Sequence, residues 1–92
     1  MELTRAFFKA VDDSDCKLIV ANLTTGATMA DCEEFVREWK GHSLELMEVV
    51  EAKRDGRNPK AIIVRVRVKG KKGEKITLVR VVSNKDRWAV KL

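Results

Sequence analysis

The chain of 92 residues contains no tyrosine, one proline (Pro59), one histidine (His42) and two cysteines (Cys16 and Cys32). Each shortage excludes something. A lone histidine without a paired Cys-x-x-Cys leaves no ligand set for zinc, so no metal is expected. Two cysteines are too few for a disulfide scaffold. Both fall at apolar positions of predicted helices, and the preferred reading is two buried free thiols; a single bridge would need Cα atoms within about 7 Å. Aromatic residues make up only 5% of the chain, so platforms for stacking bases are scarce. No apolar run approaches the roughly 18 residues of a membrane span. The segment from Met1 to Arg5 lacks the basic start and apolar stretch of a signal peptide. A cytoplasmic protein is therefore expected, or a domain cut from a longer chain, which could be an exported one. No catalytic motif or cofactor fingerprint is visible, and no membrane partner is expected.

What the chain does have is charge, and it is split along the length. Residues 52–92 hold fourteen Lys/Arg against three acids, a net of +11, whereas residues 1–51 hold five bases and eleven acids, a net of −6. Such an asymmetry speaks to partners and steering rather than to fold. High charge combined with clear hydrophobic periodicity marks a globular domain with a heavily solvated surface, not disorder. The length corresponds to one domain, residues 1–92.

The first third has helical period. Leu3, Ala6, Phe7, Ala10 and Val11 recur at helical spacing. The run Asp12-Asp13-Ser14 supplies stop-and-restart chemistry, with Asp13 or Ser14 as an N-cap. A short second helix carries Cys16, Ile19, Val20 and Leu23 and ends at Thr24-Thr25-Gly26. Thr28 with Asp31 three residues on has capping-box spacing. Cys32, Phe35, Val36 and Trp39 then form the apolar stripe of a third helix, whose outer face is Asp31, Glu33, Glu34, Arg37 and Glu38, and Gly41 stops it. Adjacent residues on a helix point about 100° apart, so Phe7 is expected in the core and Phe8 beneath the sheet or at an interface.

Beyond Gly41 the period changes to two. Strands are predicted over 43–53, 60–69, 75–82 and 87–92, separated by turns at 55–59, 70–73 and 83–86. In the second strand Ile62, Val64, Val66 and Val68 define one face, and Ile63, Arg65, Arg67 and Lys69 the other. The fold class is therefore α+β: three N-terminal helices packed on one face of a curved four-stranded antiparallel meander. The other sheet face is expected to be wet and basic.

The helix opening Ala6-Phe7-Phe8-Lys9-Ala10-Val11, the helix from Cys32 to Trp39, and the long strands closing on Asp86-Arg87-Trp88-Ala89-Val90 resemble the cystatin-like, nuclear-transport-factor-like superfold. The pattern is similar to small bacterial domains of unknown function in its lumazine-binding-like branch. The resemblance covers about residues 4–92. It implies a curved sheet wrapped around helices into a cone that can hold a small ligand, and dimers formed through sheet faces. Relatives include ketosteroid isomerases, polyketide cyclases and dehydratases, transport factors, and accessory domains of secretion systems and transpeptidases. This chain departs from the enzymes, having no tyrosine and no partner for His42 with which to build their catalytic pairs.

Two candidate sites follow from the residues. The first is a basic face comprising Arg65, Arg67, Lys69, Lys71, Lys72 and Lys75. It suits an acidic protein partner or a second copy of this chain docking its acidic helices; nucleic acid is disfavoured because stacking aromatics are missing from that face. The second is a pocket comprising Trp39, Glu48, Arg80 and Trp88, in which a small molecule could bind. Glu48 and Arg80 each interrupt an apolar alternation (Leu44, Leu46, Glu48, Val50 and Ile76, Leu78, Arg80, Val82). A desolvated Glu48 could serve as a base in a small isomerase- or cyclase-like enzyme. The bland alternative turns both side chains to solvent by a bulge or ties them into structural ion pairs. The expected function is a non-catalytic binding or interaction module, with the pocket enzyme and weak nucleic-acid binding as alternatives.

Overall fold

Helix α1 spans Glu2–Asp12 in the computed structural model, which describes residues 2–84 and 87–92. It buries Thr4, Phe7, Phe8, Ala10 and Val11, while Ala6 is exposed. Both phenylalanines are therefore core residues, against the expectation for Phe8. Phe7 packs on Phe35 at a ring separation of 5.5 Å and Phe8 on Trp39 at 4.9 Å. Two adjacent rings are buried because α3 covers both.

The helix ends in a left-handed turn. Ser14 has φ 56°, its N–H donates to the Val11 carbonyl, and the Asp15 N–H reaches back to the Ala10 carbonyl. This is a Schellman motif with serine where glycine is usual. The N-cap of the next helix is consequently Asp15, not Asp13 or Ser14; its carboxylate accepts from the Leu18 N–H. Helix α2 (Cys16–Leu18) passes into a π-helical turn, Ile19–Leu23. Helix α3 (Met29–Gly41) opens with the expected capping box: the Asp31 N–H donates to Thr28 Oγ1, and the Thr28 N–H to Asp31 Oδ2. It does not stop through Gly41. Ser43 (φ 51°) provides the left-handed turn, and the Leu44 N–H donates to the Trp39 carbonyl.

Cys16 and Cys32 form a disulfide with Cα atoms 5.8 Å apart, so the reading of two free thiols is overturned. Helical period placed both on buried faces but could not show that the two faces meet.

Strands β1 (Glu45–Asp55), β2 (Asn58–Gly70), β3 (Gly73–Asn84) and β4 (Arg87–Lys91) form an antiparallel meander in the order β1-β2-β3-β4. The expected turn at 83–86 falls partly on Lys85 and Asp86, outside the described residues. Side chains buried by the helices form one cluster with Val64, Val66, Val68, Val81 and Val90. This inner face takes alternate residues of β2 and β3, as period two requires.

Strand β1 is different. Its register against β2 shifts between Leu46 and Glu48 and again between Val49 and Glu51, leaving Met47 and Val50 as extra residues. Two bulges convert period two into period three. Leu46, Val49 and Ala52 oppose the inward residues Val68, Val66 and Val64, whereas Glu45, Glu48 and Glu51 oppose Lys69, Arg67 and Arg65.

The outer edge of β4 is closed. Thr24 bridges to Val90, and the Thr25 N–H donates to the Val90 carbonyl. The Arg87 guanidinium holds this segment in place by donating to the carbonyls of Ala21, Asn22 and Thr24 at the end of the π-helical turn.

Candidate interaction surface

The sheet face turned away from the helices carries a register of opposite charges. Glu48 Oε1 lies 2.9 Å from Arg67 Nη2, and Glu51 Oε1 lies 3.3 Å from Arg65 Nη1. Glu45 is the Cα partner of Lys69. On β3, Arg80 Nη2 approaches Asp55 Oδ2 at 3.9 Å. Arg65 and Arg67 do share one strand face, but neither is a free cation. Their countercharges come from β1, whose glutamates belong to the acidic half of the sequence yet stand in the sheet. The open face is therefore mixed in charge, not the basic face expected.

The six predicted basic residues do not form one cluster. Arg65, Arg67 and Lys69 share the open face. Lys71 and Lys72 occupy the β2–β3 turn, where they border a shallow pocket with His42, Leu44 and Glu74. His42 Nε2 sits 3.5 Å from Glu38 Oε2. Lys75 opposes the inward residue Val68 and so lies on the other side of the sheet.

The predicted pocket is not assembled either. Ile76, Leu78, Arg80 and Val82 oppose Arg67, Arg65, Ile63 and Ala61, so their alternation marks the open face rather than a buried one. Leu78 is 63% exposed and Ile76 46%. Glu48 stands on that same face, tied to Arg67, and Arg80 is offset from it along the strands and tied to Asp55. Trp88 pairs with Ser83 at the far end of β4 and is 37% exposed. Of the four, Trp39 and Arg80 border a cavity of about 340 Å³ between α1, α3 and the inner side of β3, together with Phe7, Phe8, Phe35, Thr77 and Val79. The Trp39 indole N–H donates to Asp12 Oδ1 at 3.0 Å, which fixes the ring.

Sequence reasoning missed two features. One is the exposed Ile76–Leu78 stripe. An apolar alternation looks the same whether its face is buried or not, and only the register of β3 against β2 decides. The other is the glutamate at every third position of β1, a visible signal that a strand with two bulges would explain. Among the described residues no group of three or more His, Cys, Asp or Glu could hold a metal ion, and no helix is long and apolar enough to cross a membrane. No family model, curated protein or solved structure matches the chain.

Proposed function

We propose that this domain is a non-catalytic interaction module that associates with a second copy of itself through the open face of its sheet. The observation that carries the reading is the exposed stripe of Ile76 and Leu78 on a face otherwise occupied by ordered charges. An apolar stripe rimmed by polar groups is the usual mark of a protein contact. A two-fold axis parallel to the strands would lay β2 of one copy over β3 of the other, so that each Ile76–Leu78 stripe is covered by the aliphatic stems of Arg67 and Arg65 of the other copy. Strands of 11, 13, 12 and 5 residues at ~3.3 Å per residue and ~4.8 Å spacing offer roughly 650 Å² per partner, below the ~800 Å² of a standard interface. The expected dimer weakens with salt.

The fold is read as a small member of the cystatin-like superfold, supported by three helices preceding a four-stranded meander. Glu48 is read as a structural ion-pair partner rather than a base, because it sits half exposed against Arg67 and away from the cavity. Nucleic-acid binding is set aside because a polyanion would first have to displace Glu48 and Glu51 from the two arginines. The Cys16–Cys32 bridge supports an oxidising compartment over the cytoplasmic expectation, since disulfides persist there.

Sedimentation equilibrium at low and high ionic strength tests the module. Dimerisation that weakens with salt and is abolished by Leu78→Ser is expected. A monomer at millimolar concentration in low salt, or a dimer indifferent to Leu78→Ser, would overturn it.

A further inference from the structure

We propose that the unpaired half of the β3 edge, with the aromatic cavity beside it, is a docking site for an extended acidic-apolar segment of a partner protein. The site lies on the edge and inner side of the sheet, and Leu78 and Arg80 border both it and the open face.

The argument begins with register. β4 pairs with β3 only over Arg80 to Asn84, while β2 pairs with β3 from Gly73 to Val82. The outer edge of β3 before Arg80 therefore has no strand partner among the described residues. Backbone donors and acceptors along such an edge are a template for an added strand. The outer edge of β4 is already closed by Thr24 and Thr25.

The unpaired edge is also the wall of the cavity. Thr77 and Val79 line it from the strand side, and Phe35 and Trp39 from α3. Cross-strand partners in an antiparallel pair share a face. A segment running in the direction of β4 would thus send the side chain opposite Thr77 into the cavity and the next inward side chain, two residues on, beside Lys75. Its intervening residues, opposite Leu78 and Ile76, would fall on the open face.

Charge selects the chemistry. Lys75, Arg80 and Lys91 are the charged residues bordering the cavity, and no acid borders it among the described residues. Two copies of this chain joined edge to edge would crowd these cations into one seam, which argues against a second copy here. An apolar side chain opposite Thr77 with a carboxylate opposite Lys75 fits both the cavity and its rim.

The test uses the full chain carrying Trp88→Phe, so that Trp39 in the cavity wall is the sole fluorophore. The probe is a synthetic ten-residue peptide alternating valine and threonine, with phenylalanine placed opposite Thr77 and glutamate opposite Lys75. Saturable binding that shifts Trp39 emission is expected. Lys75→Glu should weaken it by about tenfold, and a peptide with lysine in place of that glutamate should restore binding to this variant. Absence of binding at millimolar peptide would overturn the proposal. So would equal binding of a peptide with N-methylated backbone amides, which would show cavity filling without strand addition, or indifference to Lys75→Glu.

Discussion

Glu48 and Arg67 are direct partners across β1 and β2, with Glu48 Oε1 2.9 Å from Arg67 Nη2. The contact exists because Met47 is an extra residue in β1; without that bulge the pleat would turn Glu48 toward the helices. Both side chains are about half exposed, so the pair is screened and its net contribution is about 0.5 kcal/mol. Glu48→Gln should lower unfolding free energy by about that amount at low salt and by less at high salt. A chemical-denaturation series with the Arg67→Gln and double variants measures the coupling. A loss above about 3 kcal/mol would mean a buried role that the geometry does not support.

Ser14 and Ser43 each hold a left-handed backbone, at φ 56° and 51°, in turns where a Cβ is unfavourable. Ser14→Gly and Ser43→Gly should each stabilise the fold by about 0.5–1 kcal/mol, relief of the left-handed strain outweighing the extra chain entropy of glycine. Each kcal/mol should raise the melting temperature by roughly 4–8 °C, and because the Lys40 ammonium donates to Ser14 Oγ while the Lys40 carbonyl accepts from the Ser43 N–H, the double variant measures how far the two turns are coupled. Thermal melts of the single and double variants decide it; a fall in melting temperature would show that the serine hydroxyls matter more than the backbone.

These two turns show where the sequence was legible and where it was not. The start of α3 could be read because its capping chemistry is local: Thr28 and Asp31 announce their reciprocal bonds by spacing alone. The cap of α2, by contrast, was displaced to Asp15 by the left-handed turn at Ser14. Helix ends fell where expected, after Asp12, at Thr24 and at Gly41, but the left-handed residues Ser14 and Ser43 were not legible because serine carries no such signal. Order, number and pairing of the strands followed from turns and alternation. The candidate site did not, because it depends on which face the helices cover. Ile76, Leu78, Arg80 and Val82 were read as a buried face interrupted by a charge, but they form the open face on which Arg80 is at home. Likewise the partners of Arg65 and Arg67 come from a strand whose period two bulges had changed.

Gly70 and Gly56 should respond oppositely to the same substitution. A Cβ on Gly70 would stand 2.8 Å from Leu44 Cδ2 and 3.2 Å from the His42 carbonyl oxygen, where the β2–β3 hairpin meets the end of α3. The leucine can swing aside but the backbone carbonyl cannot, so Gly70→Ala should cost about 1–2 kcal/mol. Gly56, in the β1–β2 turn, has nothing within 4 Å of its notional Cβ and no positive φ. Gly56→Ala should be neutral or stabilising by a few tenths of a kcal/mol. Equal midpoints in a denaturant titration would show that the α3–β2 contact yields freely.

The Cys16–Cys32 bridge ties the start of α2 to α3 across a sequence separation of 16 residues. Closing a loop of that length restricts the unfolded chain by about 3 kcal/mol on the chain-entropy account. Removing it through paired Cys16→Ala and Cys32→Ala should therefore lower stability by about 2–4 kcal/mol. The helices keep their caps and their aromatic contacts to α1, so circular dichroism at low temperature should be unchanged while the melting temperature falls. A thiol assay on unfolded, non-reduced protein checks the premise directly: none should titrate before reductant is added and two afterwards. Two thiols before reduction would return the pair to the state of buried free cysteines, and the argument for an oxidising compartment would go with it.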